Sequence, residues 1–209
     1  MALVRIEPND RVFIAGKTGS GKTVLAKELL TPYPYVVVLD NKGRFNWPGA
    51  GLVTKLDLLP KAAQKYNHIV FRPNPLLEAD AAAFKEEMDA FFWWVYYRQN
   101  CILYIDEASQ PGVIDSFHIP AGLNVIYKRG RELNIGCWAS SQEPVNVHNT
   151  LMSQADHFFA FITQMQSHRD KMAGYMGDPV KYTIPRNYKF FYFHPATMDE
   201  AEMMEPLQI

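Results

Sequence analysis

The sequence predicts an α/β protein whose mainly parallel sheet is covered by helices. Three observations carry that expectation. Several short runs are apolar without interruption, such as Tyr35-Val36-Val37-Val38-Leu39, and such runs suit strands buried on both faces. Helical stretches alternate with these strands along the chain. The glycine-rich octapeptide Gly16-Lys17-Thr18-Gly19-Ser20-Gly21-Lys22-Thr23 stands between a strand and a helix, the context in which a turn of this kind cradles phosphate.

Arg11-Val12-Phe13-Ile14-Ala15 reads as the first buried strand, and Val24 to Leu30 as the helix after the octapeptide. Thr31-Pro32-Tyr33-Pro34 breaks the helix. The run from Tyr35 to Asp40 is a second strand ending in a carboxylate, and Asn41-Lys42-Gly43-Arg44-Phe45 turns away from it. The stretch that follows, to about residue 67, is rich in Gly, Pro and Trp and reads as loop. His68 to Arg72 is another strand. Asn74-Pro75 predicts a helix start, with Asn as cap and Pro in the first turn. Leu77, Ala81, Phe84, Met88, Phe91 and Val95 then recur at steps of three and four, one face of a long amphipathic helix. Phe92, Trp93, Trp94, Tyr96 and Tyr97 enrich its second half, which suits a helix wedged between the sheet and a neighbour, or else a base-stacking platform or subunit contact.

Cys101 to Glu107 is a strand ending in two carboxylates, followed by a loop with Pro111 and Gly112. Ala121 to Leu133 reads as a helix with Lys128, Arg129 and Arg131 near its end. Ile135 to Ser140 is the next strand, with Gln142 just past it. Phe158 to Ile162 and Lys189 to Phe193 are further strands. Gln164 to Met176 and Asp199 to Met204 read as helices.

The octapeptide has a direct chemical reading. Its glycines let successive backbone N–H groups point inward, and the helix N-terminus adds partial positive charge. Gly16, Lys17, Thr18, Gly19, Ser20, Gly21, Lys22 and Thr23 would wrap the phosphates. Lys22 would reach the β- and γ-phosphates, and the Thr23 hydroxyl would bind Mg²⁺. Asp106 ends a strand where a second ligand for that metal belongs. Glu107 beside it points elsewhere and can face the γ-phosphate, there to take a proton from an attacking water. Gln142 at the next strand tip can orient water or touch the γ-phosphate, or be an ordinary polar strand end. Arg129 and Arg131 fit an arginine finger reaching a neighbouring subunit, and equally fit a solvated basic helix end.

Composition narrows the partners. The chain has 209 residues, 48% hydrophobic and 21% charged, with a net charge of −1. That suits one globular domain over 1–209 without a global basic signature, so any nucleic-acid contact must be local. Cys101 and Cys137 read as buried, reduced thiols of an intracellular protein. No signal peptide is visible, and the apolar stretch from Phe91 to Tyr97 is too short to cross a bilayer. The histidines show no metal-ligand spacing, and no Ser/His/Asp arrangement is discernible.

Gly16 to Thr23, Leu39-Asp40-x-Lys42-Gly43, Ile105-Asp106-Glu107-Ala108 and Gly130-Arg131-x-x-Asn134-Ile135-Gly136 followed by Ser141-Gln142-x-Pro144 together resemble the HerA–FtsK superfamily of DNA-pumping ATPases. The short single-domain form is most similar to the genome-packaging ATPases of tailless, membrane-containing viruses and phages. The resemblance implies a RecA-like P-loop core of strand order 5-1-4-3-2, with the Gln142 strand between the phosphate-loop strand and the Asp106 strand, and extra C-terminal strands. It implies ATP and Mg²⁺ as cofactors, hydrolysis coupled to translocation of double-stranded DNA, and a homo-oligomeric ring, usually of six subunits. It strengthens Gln142 as sensor and Arg131 as trans finger, with Arg129 the alternative. Capsid or membrane vertex proteins are expected partners, and host cytoplasm or virion the expected location. Arg44 departs from the acid that many relatives carry after the Lys-Gly pair, so no role is carried over to it. Loops after Asp40 and Asp106 leave one sheet edge, which makes Lys42, Arg44 and His118 candidates for facing a channel.

Other classes fit less well. A nucleotide or small-molecule kinase would need an acceptor site and an arginine-rich lid. A GTPase would need a base-reading Asn-Lys-x-Asp, and Asn41-Lys42-Gly43-Arg44 lacks the Asp. A P-loop ATPase of phage assembly, extrusion or conjugation, acting on single-stranded DNA or protein, is the nearer alternative, and a non-motor scaffold the more distant one.

Overall fold

The computed structural model describes residues 4–109 and 114–207, with only the backbone of Leu77 and Glu78. Pro111 and Gly112, read as part of the loop after Glu107, lie outside the described residues.

The strands are β1 (Arg11–Ala15), β2 (Val36–Asp40), β3 (Gly51–Val53), β4 (His68–Phe71), β5 (Cys101–Asp106), β6 (Ile135–Ser141), β7 (His157–Ala160), β8 (Phe190–Phe193) and β9 (Glu202–Met204). Among the described residues they form one nine-stranded sheet in the order β3-β4-β2-β5-β6-β1-β7-β8-β9. All pairings from β3 to β7 are parallel, and β8 and β9 add antiparallel. The central run β7-β1-β6-β5-β2 is the predicted 5-1-4-3-2 core. Its inner register sets Asp40 opposite Asp106 and Ala15 opposite Ser141.

The seven helices among the described residues are α1 (Lys22–Leu30), α2 (Leu59–Lys65), α3 (Ala81–Arg98), α4 (Ala121–Arg129), α5 (Asn149–Ser153), α6 (Gln166–Met176) and α7 (Pro179–Tyr182). Strand side chains alternate between two cores. Val12, Ile14, Val36, Val38, Tyr104 and Trp138 pack with Leu25, Leu29 and Leu30 of α1. Phe13, Val37, Leu39, Leu103, Ile105 and Ala139 pack on the other face with residues of α2 to α6. Both faces are therefore buried, which is why the strands read as unbroken apolar runs.

In α3, Phe84, Met88, Phe91 and Val95 are buried as their spacing predicts, and so is Phe92. Each removes a large apolar side chain from water, worth about 1.5–3 kcal/mol. Phe91 stacks on Phe71 of β4 with ring centroids 4.8 Å apart. Tyr97 stays exposed. No helix among the described residues is long and apolar enough to cross a membrane. Cys101 and Cys137 are free and buried, and burial pushes both thiols up to about 11.

Four expectations are corrected. The helix expected from Asn74 and Pro75 is a separate 3-10 turn, Pro75–Ala79, and α3 begins at Ala81. Asp80 supplies the cap, its carboxylate accepting from the Ala82 and Ala83 amides at 3.1 Å; Ala81, assigned to the buried face, is exposed in the first turn. The helix expected to run to Leu133 stops at Arg129, and Gly130–Leu133 is a 3-10 turn. Asp199 to Met204 is not a helix: Glu202–Met204 pairs with β8, whose open edge supplies partners that no local signal announces. The stretch read as loop before residue 67 holds β3 and α2, because Leu59, Ala62 and Val53 reach the core.

Candidate functional site

The glycine-rich loop leaves the C-terminal end of β1, between β6 and β7. Gly16 N donates to Ser141 O at 3.1 Å and Lys17 N to Ile162 O at 2.9 Å, which anchors the loop's first turn to both neighbours. A Cβ on Gly16 would lie 2.6 Å from Phe161 Cβ and 2.7 Å from Ser20 Oγ at φ +154, so only glycine fits there. Lys22 is buried and donates to Gly16 O at 2.6 Å and Lys17 O at 3.1 Å. Burial pulls the Lys22 ammonium down, against the opposing pull of Glu107 and Asp106.

These residues fit a triphosphate. Among the described residues Ser20 Oγ is buried without a hydrogen-bond partner. Helix α1 has no side-chain cap and no acid in its first turn, so its leading N–H groups stay available to an anion. Gly19 opens on empty space. For Mg²⁺ the fit rests on the half-buried Thr23 and on Asp106. Among the described residues no three His, Cys, Asp or Glu side chains gather to hold a metal, so the ion would draw its remaining ligands from nucleotide oxygens and water.

The carboxylates of Asp106 and Glu107 diverge. Asp106 Oδ1 accepts from Tyr104 OH at 3.0 Å and Ser140 Oγ at 3.2 Å. Burial raises the Asp106 carboxyl and nearby Asp40 adds to the rise, against the pull of Tyr104, Ser140 and Lys22. Glu107 sits at φ +69, the left-handed region, a conformation that costs about 1–2 kcal/mol for an L residue. That turn swings its side chain into a separate nest. Oε1 accepts from Ser109 Oγ at 2.6 Å, the Gln142 amide at 3.0 Å and Ser141 Oγ at 3.3 Å, and Oε2 from Lys42 Nζ at 2.9 Å. Burial raises the Glu107 carboxyl, but these bonds outweigh it and the net shift is downward.

Gln142 joins the two halves of the site. Thr18 Oγ1 donates to its side-chain oxygen at 2.5 Å, while its backbone amide holds Glu107. A phosphate-loop residue, the tip of β6 and the strand-end glutamate thus form one connected unit.

The sequence reading did not assign Ser140, Ser141, Ser109 or Tyr104. Ser140 and Ser141 were detectable as adjacent hydroxyls ending an apolar strand; alternation sends one to Asp106 and the other to Glu107. Lys42, by sequence a candidate for facing a channel, is exposed and donates its ammonium to Glu107. Asp40 explains why. Fully buried, it accepts from the Arg44 and Phe45 amides and from Arg72, which curls the 41–45 turn and brings Lys42 toward β5. Arg44 and His118 remain exposed.

Arg129 and Arg131 lie elsewhere. Arg131 donates to both Asp156 oxygens at 2.6 Å, and Asp156 also takes the Arg11 amide at 2.8 Å. This cluster sits where β1 and β7 begin, one five-residue strand or about 16 Å from the phosphate loop. Neither arginine is brought to the loop of its own chain. Arg129 is exposed and makes no ion pair among the described residues.

No protein-family model matches the sequence, and no curated protein matches it. Solved structures do. The genome packaging NTPase B204 of Sulfolobus turreted icosahedral virus 2, in complex with ATP-gammaS, aligns with a TM-score of 0.70 at 18% identity, covering 97% of this chain and 100% of that one. The cytoplasmic domain of the Thermomonospora curvata Type VII secretion ATPase EccC aligns with a TM-score of 0.62 at 15% identity over 96% of this chain and 25% of that one. The pCW3 conjugation coupling protein TcpA, with ATPgS, aligns with a TM-score of 0.56 at 14% identity over 94% and 60%. At these identities the likeness is one of fold, the mostly parallel α/β sheet of P-loop NTPases.

Proposed function

We propose that this chain is an ATPase of HerA–FtsK type that drives double-stranded DNA, in the setting of viral genome packaging. The observation that carries the reading is the connected unit of Thr18, Gln142 and Glu107 at the end of the phosphate-loop strand. A kinase needs no such link between its phosphate loop and a strand-end glutamate, whereas a hydrolase that reports the state of its γ-phosphate does. The fold likeness to a genome packaging NTPase over both whole chains supports the packaging setting.

In this mechanism Lys22 leaves the loop carbonyls to neutralise the β- and γ-phosphates. Thr23 and Asp106 would hold Mg²⁺, which would supply further charge neutralisation. Glu107 Oε2 parts from Lys42 and accepts the proton of the attacking water, a role worth about 10²–10⁴ in rate. Gln142 meets the γ-phosphate and passes its loss to β6. Arg131, once free of Asp156, or the exposed Arg129 completes a neighbour's site in a ring of six around the duplex. A capsid or membrane vertex protein would anchor that ring.

The test is ATP turnover without DNA, with long duplex and with single strands, alongside the mass of the assembly. Stimulation by duplex that grows with its length supports the motor. Equal stimulation by single strands, or none, counts against it.

A further inference from the structure

Two hollows flank the phosphate loop and share one wall, the ring of Tyr188. The first, about 330 Å³, lies between Gly21 and Val24 at the start of α1, Phe161 just past β7 and Phe190 of β8. The second, about 510 Å³, runs from Lys17, Gly19 and Ser20 to Arg186 and Asn187. Neither Glu107 nor Gln142 lines either of them.

Tyr188 is presented rather than packed. Its φ is +60 and that of Asn187 is +55, two successive left-handed residues, and an aromatic residue rarely accepts that conformation. The turn is closed by Lys189 N donating to Arg186 O at 3.1 Å. Lys189 Nζ also pairs with Glu205 Oε1 at 2.5 Å, beyond β9. The result is a residue 66% exposed, its ring edge beside Gly21 of the loop. A Cβ at Gly21 would lie 3.2 Å from the Phe161 ring and 3.7 Å from Tyr188 Cδ1. Glycine at 21 therefore keeps open the gap between the two aromatic rings, where almost any other residue would fill it.

We propose that this gap takes the base of the bound nucleotide, with Tyr188 as its stacking wall, and that it admits either purine. The inference rests on the phosphate-loop reading above. A triphosphate gripped at Lys22 and Thr23 must send its sugar and base outward past Val24, the next residue, and the apolar hollow opens there. Stacking is sequence-tolerant because every base has a π-face. Among the described residues that line the first hollow, Tyr188 alone carries a polar side-chain group, and a single hydroxyl gives little to separate the exocyclic groups of adenine from those of guanine.

Calorimetric titration of the wild type, Tyr188→Ala and Tyr188→Phe with ATP, GTP and inorganic tripolyphosphate tests this. Tyr188→Ala should weaken both purine nucleotides by roughly five- to hundredfold and leave tripolyphosphate affinity unchanged, which also certifies the fold. Tyr188→Phe should bind like the wild type, and the wild type should bind ATP and GTP within about tenfold of each other. Undiminished ATP binding by Tyr188→Ala, or an equal loss of tripolyphosphate, would overturn the stacking role. A wild-type preference between the purines well beyond about a hundredfold would overturn the tolerance. Wild type that binds neither ATP nor tripolyphosphate would instead refute the phosphate-loop reading itself.

Discussion

Lys42 Nζ lies 2.9 Å from Glu107 Oε2, so the turn after β2 holds the glutamate at the end of β5. The pair, with Ser109 and the Gln142 amide, outweighs burial and leaves the Glu107 carboxyl below its ordinary value. Lys42→Met should move the Glu107 titration midpoint upward, as read by its side-chain carbon shift in NMR. A midpoint that stays put would mean that the ion pair contributes nothing in solution.

The same shift makes a stability prediction. Because the folded state lowers this pKa, folding favours the ionised form. Its contribution is present above the unfolded-state carboxylate pKa and is lost as pH falls through the folded one. The gap in denaturant midpoint between wild type and Glu107→Gln should therefore be widest near neutrality and shrink on acidification. In turnover assays Glu107→Gln should bind ATP and lose about 10²–10⁴ in rate.

Thr18→Val removes the hydroxyl that meets Gln142, and Gln142→Ala removes its partner. If the contact acts as one unit, either change should slow turnover several-fold with nucleotide affinity retained. The double variant should be no slower than the worse single one. Additive losses would show that the two residues act separately.

Arg131 is tied to Asp156 in its own chain, an exposed pair whose loss should cost at most about 1 kcal/mol. Arg131→Ala and Lys22→Ala should each be inactive, and mixing them should restore part of the activity, because some interfaces then pair an intact loop with an intact finger. A mixture that co-assembles and stays inactive assigns the finger away from Arg131; Arg129→Ala in the same scheme is the next test.

Gly136 carries a motif position whose reason is steric. A Cβ there would lie 2.4 Å from Pro8 O and 3.1 Å from Ile102 Cγ1, where the chain before β1 crosses β6. Gly136→Ala should destabilise by about 1–3 kcal/mol, or about 2–4 °C in Tm per kcal/mol at this length, while the folded protein still binds nucleotide. An unchanged Tm would mean that the 8–10 segment does not hold this position.

What the sequence determined by itself is whatever rests on local pattern. Apolar runs marked the core strands because a strand buried on both faces admits no polar alternation. Gly16 to Thr23 identified its loop because few other residues accept those turns, and the ends of β5 and β6 pointed to Asp106, Glu107 and Gln142 as acids and an amide beyond apolar strands. Tertiary structure alone decided the rest. Lys42 meets Glu107 only because Asp40 and Asp106 lie opposite each other across β2 and β5, 66 residues apart in sequence. Glu202–Met204 is a strand only because β8 leaves an edge open. Arg131 finds Asp156, and Tyr188 reaches the space over Gly21, through contacts between distant segments. Local sequence sets what a residue can do chemically, but long-range packing sets which partner it meets.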